Sequence, residues 1–302
     1  MPYYKELQEK LTYLEPDKTE QIHQAYLFAL KYHSGQKRDS GEKYIIHPLG
    51  VASILANMRI DYQSIIAALL HDVIEDTPAT KEEITAQFGQ TVADLVDGIT
   101  KLAHIEISDK NETQAQNFRK MVLAMSRDIR VILIKLADRL HNMQTIAGLA
   151  PFKRYRVAKE TLDIYAPIAN RLGMYKMSVE LEDLAFLALY PNRYKILEKA
   201  VAQVYGKNKE VIALIEQELK AAFSKSSLEN IKISGRTKHL YGIYKKMLNH
   251  RASFANIMDV YAFRIIVQEI DDCYRALGVV HNLYKPLPEK FKDFIAIPKC
   301  AH

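Results

Sequence analysis

The chain has 302 residues, 48% hydrophobic and 26% charged, a balance that excludes a disordered chain and allows one large domain or two ordinary ones. Its net charge of +6 includes no block of five or six like charges, so a polyphosphate ligand, RNA and plain solubility all remain open. Two cysteines exclude a disulfide framework, no apolar run nears the ~20 residues that span a bilayer, and Met1–Leu14 lacks a signal-peptide core. A cytoplasmic protein without a membrane partner is expected.

In chain order, apolar residues recur at helical spacing through Gln21–His33, Pro48–Met58, Ser64–Glu75, Val92–Leu102, Thr113–Met125, Ile129–Gln144 and Tyr155–Arg171. Breaks fall at Gly35, Gly41, Thr77-Pro78, Gly89 and Ala150-Pro151, and Tyr190-Pro191-Asn192 is the next punctuation. Helices this dense with short connections predict an all-α domain. After about residue 225 the pattern changes. Asn230–Ser234 and Ala262–Val267 read as strands around a basic helix, His239–His250. A further helix, Asp272–Leu283, leads to a short apolar run, Phe294–Ile297. The expected fold class is mainly α: a helical domain followed by the incomplete start of an α/β domain.

Three of the apolar helices end in polar groups. Ser64–Asp76 runs from an apolar stretch into His71-Asp72, with Glu75-Asp76 one turn later. Asp138 ends the apolar run Ile129–Leu140, and His47 stands before Pro48, a residue suited to the first helical position. Taken singly, His47 reads as a hydrogen-bonded core histidine, Asp138 as a partner of Arg139 or Lys135, and the acidic pairs as a solvated helix end. Taken together, the order His, His-Asp, Asp on three apolar helices makes a nitrogen and oxygen ligand set suited to Mn, Fe, Ni or Zn. Buried carboxylates need such compensation.

That order is the signature of HD-domain phosphohydrolases. The words Gln36–Pro48 (QKRDSGEKYIIHP), His71–Thr77 (HDVIEDT), Val96–Leu102 (VDGITKL), Arg130–Met143 (RVILIKLADRLHNM) and Tyr165–Gly173 (YAPIANRLG) closely resemble the RelA/SpoT family. The resemblance implies one Mn²⁺ held by His47, His71, Asp72 and Asp138, with Glu75 and Asp76 positioning and deprotonating the attacking water. It further implies a guanosine polyphosphate as the partner, losing its 3′-pyrophosphate, with no nucleic acid required. Arg38, Ser40 and Asn142 match family positions near the nucleotide. Asp39 and Gln144 stand where relatives often carry Lys and Arg, and both remove positive charge near the expected pocket. A broader HD nucleotidase and a silent nucleotide-binding module are the competing readings.

Downstream, Gly235–Met247, Met258–Arg264 and Lys290–Lys299 resemble the beginning of the family's synthetase domain. By that resemblance Arg236, Lys238 and Lys246 would contact ATP and Asp259 would bind Mg²⁺ in a complete site. Gly242 replaces a usual Ser. The later catalytic Glu of the family has no counterpart before His302, so synthesis is expected to be absent. The expected organisation is a hydrolase domain at 1–195, a helical linker at 196–228 and a partial synthetase domain at 229–302.

Overall fold

The computed structural model describes residues 2–103, 128–250, 254 and 261–298, in two compact units, Met1–Pro191 and Asn192–His302. The described elements of the first unit are helices, with one isolated antiparallel bridge between Lys37 and Lys43. Its helices are α1 (Pro2–Lys10), α2 (Pro16–Tyr32), α3 (Ile46–Asn57), α4 (Tyr62–Leu70), α5 (Val73–Asp76), α6 (Lys81–Phe88), α7 (Gln90–Ala103), α8 (Ile129–Gln144), α9 (Pro151–Glu160), α10 (Ala166–Arg171) and α11 (Tyr175–Leu189). The helix expected over Thr113–Met125 lies outside the described residues.

Two hydrophobic cores meet along α8. Val131, Ile134 and Ala137 face the core built with α2, α3, α4 and α7, while Ile132, Leu136, Leu140 and Met143 face the one built with α9 to α11. A helix that serves two cores has almost no solvent face, which is why its sequence is nearly continuously apolar.

The helices α4 and α8 start side by side. Asp61 caps α4 through the Ser64 N–H at 3.1 Å, and Asp128 caps α8 through the Arg130 N–H at 2.9 Å. Arg130 then joins the two starts by reaching Asp61 and Gln63, both at 3.3 Å. His71 and Asp138 each lie ten positions beyond their cap. At ~1.5 Å rise per residue the two side chains therefore arrive at the same level.

Three local departures from the sequence pattern have physical causes. The helix expected through Ser64–Glu75 breaks at His71-Asp72, where His71 Nδ1 lies 2.8 Å from the Ala68 carbonyl. That side chain takes the acceptor a continuing helix would pair with the Asp72 N–H. Pro48 sits in the third position of α3, still within the first turn, where its missing N–H costs nothing. The helix expected through Tyr155–Arg171 contains a π turn, Thr161–Tyr165, in which the Ala166 N–H reaches back to the Thr161 carbonyl. Pro167 supplies no N–H to the next turn, and the wider turn absorbs that loss.

The second unit opens with a long helix, α12 (Pro191–Ser224). Strand β1 (Lys232–Thr237) then pairs antiparallel with β2 (Tyr261–Ile266), with Lys232 opposite Ile266 and Thr237 opposite Tyr261. Between them lies α13 (Leu240–His250), and α14 (Ile270–Leu283) follows. Leu219, Phe223 and Ala276 form its small core with Ile233, Phe263 and Ile265 packed against them. The apolar run Phe294–Ile297 is a turn: Asp293 Oδ1 accepts from the N–H groups of Ile295 and Ala296 at 2.9 Å each. A local carboxylate outcompetes strand pairing there. Among the described residues no helix is long and apolar enough to cross a membrane.

Candidate metal centre

His47 from α3, His71 at the end of α4 and Asp138 from α8 are all at most 5% exposed. Each offers one ligand atom, and these atoms lie within 4.8 Å of one another. Asp72, in the turn after α4, adds Oδ1 at 3.2 Å from His71 Nε2 and Oδ2 at 3.7 Å from His47 Nε2. His47 Nε2 is 3.2 Å and His71 Nε2 is 3.8 Å from Asp138 Oδ1. The structure thus brings together all four residues that the sequence singled out as ligands.

The protonation pattern tests whether a cation fits. The Ala68 carbonyl can only accept, so His71 Nδ1 carries a proton and the ring presents Nε2 to the site. Among the described residues that Nε2 is buried with no hydrogen-bond partner while aimed at two carboxylates. As a neutral ring, His71 would set a lone pair against those carboxylates, and a cation between them would turn that repulsion into coordination. Burial pushes His47 down, with the hydrogen bond and charge of Asp138 opposing. His47 Nδ1 lies 2.9 Å from His141 Nδ1, and burial, then His47 and Arg38, push His141 down to about 3. One ring donates and the other accepts across that contact. With the donor on His47, its Nε2 is the atom that faces the site. The donor set fits a divalent cation held by nitrogen and oxygen.

Asp138 carries two roles at once. Its Oδ1 faces the histidines and accepts from Asn142 Nδ2 at 2.6 Å, while Oδ2 accepts from Lys135 Nζ at 2.8 Å. Burial resists ionisation of Asp138, but the Lys135 ammonium and the neighbouring imidazoles hold its carboxyl well below the usual range. Arg139, the other partner considered from sequence, turns away to Glu160 at 2.9 Å and over the Tyr165 ring at 4.0 Å.

Beyond the buried donors the site opens. Glu75 and Asp76 are exposed in α5, one turn past His71-Asp72. The loop between α2 and α3 forms one wall, bent by the positive φ of Gly35 (82°) and Gly41 (87°). On it, Arg38 donates to Asn142 Oδ1 at 2.8 Å and Thr145 Oγ1 at 3.0 Å, so two of the three expected nucleotide residues already touch. The third, Ser40, is exposed, donates to Glu42 and lies against Gly148. The two departures from the family pattern are locally paired: Asp39 with Lys153 at 3.5 Å, and Gln144 with Glu180 at 2.7 Å.

Sequence reasoning missed His141, Tyr44 and Thr145, because nothing in their local pattern marks them. Gly50 was a usable signal. A Cβ on Gly50 would lie 2.1 Å from His141 Cδ2, so glycine there lets α3 approach the ring that orients His47. Gly50→Ala is expected to lower the melting temperature. The ~1 kcal/mol that Ala gains over Gly in a helix is smaller than the ~1–3 kcal/mol cost of overpacking, and the buried ring cannot swing away. A melting temperature at or above wild type would refute this close contact.

In the second unit Arg236 ends the exposed side of β1, Lys238 follows it, and Lys246 lies in α13. Asp259 lies outside the described residues. A Cβ on Gly242 would lie 2.7 Å from the His239 ring.

A family model described as HD domain matches residues 25–175, and one described as a region found in RelA / SpoT proteins matches residues 235–302. The chain belongs to the RelA/SpoT family. It is 54% identical over 288 residues to the bifunctional (p)ppGpp synthase/hydrolase SpoT of Escherichia coli K12, covering 95% of this chain and 41% of that protein. It is 53% identical to a guanosine-3′,5′-bis(diphosphate) 3′-pyrophosphohydrolase of Vibrio cholerae, covering 95% and 41%. It is 50% identical to a GTP pyrophosphokinase of Myxococcus xanthus, covering 92% and 37%. The chain thus spans about two-fifths of the length of these RelA/SpoT relatives.

Proposed function

We propose that this chain removes the 3′-pyrophosphate from guanosine 3′,5′-bis(diphosphate), using one Mn²⁺ held by His47, His71, Asp72 and Asp138. The observation that carries the reading is the buried His71 Nε2 aimed at two carboxylates, at the foot of a site whose rim carries Glu75 and Asp76. The names of the relatives supply the substrate.

When bound, the cation lowers the pKa of a coordinated water and offsets negative charge on phosphoryl oxygens. The remaining work belongs to the chain. Lys135 keeps Asp138 ionised and turns its Oδ1 toward the histidines. The Ala68 carbonyl and the His141 ring set the orientation of the two imidazoles. Glu75 and Asp76 stand one turn away as carboxylates that can accept the water's proton. Arg38, held by Asn142 and Thr145, offers a planar cation to the nucleotide from the loop side.

The direct test is product analysis of guanosine tetraphosphate incubated with the protein and Mn²⁺. GDP and pyrophosphate are expected. Equal turnover of unrelated nucleotides would favour the broader nucleotidase, and no turnover at all would favour a silent module. For the second unit, the expected absence of synthesis is checked by supplying the 302-residue chain with ATP and GDP. Any guanosine tetraphosphate formed would overturn it.

A further inference from the structure

We propose that Tyr44 is a positioning residue of this site: its phenol ties Asp76 to the point where Asp72 is held, with Gln36 as a second tether. The inference rests on the hydrolase reading for the roles of Asp72 and Asp76. Tyr44 belongs to the loop before α3 rather than to the helices that carry the donors. Its hydroxyl lies 2.7 Å from Asp72 Oδ2 and 2.8 Å from Asp76 Oδ2.

The phenol is itself held. One face stacks on the buried His33 ring, with centroids 4.6 Å apart and planes at 23°, and the His47 ring meets it edge-on at 6.2 Å. His33 Nδ1 contacts Gln36 Oε1 at 2.7 Å, and Gln36 Nε2 donates to the Asp76 carbonyl at 2.9 Å. The loop therefore grips Asp76 twice, at its backbone through Gln36 and at its side chain through Tyr44. This grip matters because α5 is only four residues long and Asp76 is exposed. Glu75 has no hydrogen bond or ion pair among the described residues, so the two neighbouring carboxylates are held differently.

Counting protons gives the tether a second property. A phenol has one proton to donate, and here two carboxylate oxygens compete for it. With Asp72 engaged by a cation, the phenol proton would be left to Asp76 and would fix its rotamer. Asp76 is thereby oriented, whereas Glu75 is not held by the loop. Tyr44 thus links the loading of the donor set to the placement of the group beside it.

The test compares wild type with Tyr44→Phe, which keeps the ring contacts with His33 and His47 and removes only the hydroxyl. Calorimetric titration with Mn²⁺ alone is expected to show affinity reduced about tenfold, at the low end of the range for partners of metal ligands. At saturating Mn²⁺, kcat is expected to fall about 10–100-fold with KM within about twofold, since the loss concerns placement and not substrate binding. Unchanged Mn²⁺ affinity together with unchanged kcat would overturn the proposal, as would a kcat held at wild type while KM rises. If Tyr44→Phe melts well below wild type, Gln36→Ala removes the other tether and is read in the same way, with the same outcomes deciding. A wild-type protein inert toward guanosine tetraphosphate would sink the hydrolase reading instead, and the Mn²⁺ titration would still decide whether Tyr44 supports the donor set.

Discussion

Asp72→Ala and Asp138→Ala are both expected to abolish Mn²⁺ binding and hydrolysis, and to differ sharply in the stability of the metal-free protein. Asp72 stands at the open side of the site with its side chain 19% exposed, and its hydrogen-bond partner Tyr44 keeps Asp76 when Asp72 is gone. A change within about 1 kcal/mol is expected, the scale of one hydrogen bond. Asp138 is different because Oδ2 neutralises the largely buried Lys135 ammonium at 2.8 Å. Removing one partner of a buried pair strands the other charge and costs about 3–5 kcal/mol. In a domain of this size that lowers the melting temperature by roughly 6–20 °C. The comparison must be made without metal, since a ligand that binds only the folded state stabilises it in proportion to its affinity. Tight Mn²⁺ binding by Asp72→Ala would remove Asp72 from the ligand set. An unshifted melting curve for Asp138→Ala would mean that Lys135 finds water readily and the pair is not buried in effect.

Glu75→Gln is expected to keep Mn²⁺ affinity and KM while losing about 10²–10⁴ in kcat, the range for removing a general base. The substitution preserves shape and hydrogen-bonding capacity and deletes only basicity. Glu75 makes it a clean experiment: the side chain is exposed and no described neighbour depends on it, so the fold should be unaffected. Loss of Mn²⁺ binding would make Glu75 a ligand and reassign the roles. Unchanged turnover would leave Asp76 or the metal alone to activate the water.

The donor set was legible in the sequence because burial of charge is anomalous. His47, His71, Asp72 and Asp138 stand out as polar groups at the ends of apolar helices, and such groups need a partner whatever the fold. The alternatives for Asp138 could not be separated from sequence, since Lys135 and Arg139 lie one turn and one residue away. In the structure the pairing with Lys135 and the approach to the histidines coexist, one on each carboxylate oxygen. Helix ends were less legible. His71 and Asp72 have the periodicity of a continuing helix, and only the bond from the His71 side chain to the Ala68 carbonyl ends it there. Phe294–Ile297 has the composition of a strand, and one local carboxylate makes it a turn.

What the sequence determined by itself was the class of fold and the chemistry of the site, because apolar periodicity and the cost of buried charge act within a few residues of one another. The tertiary structure alone decided how the donors are oriented. His141 meets His47 across 94 positions, Tyr44 meets Asp72 across 28, and Arg38 meets Asn142 across 104. Neither Tyr44 nor His141 is anomalous where it stands: a tyrosine in a loop and a histidine near a helix end satisfy every local rule. Their roles arise only when the common start of α4 and α8 at Arg130 brings His71 and Asp138 level, and the absence of a side chain at Gly50 lets α3 close over them. Orientation depends on contacts between distant segments, and no local pattern encodes a contact whose two halves lie a hundred residues apart.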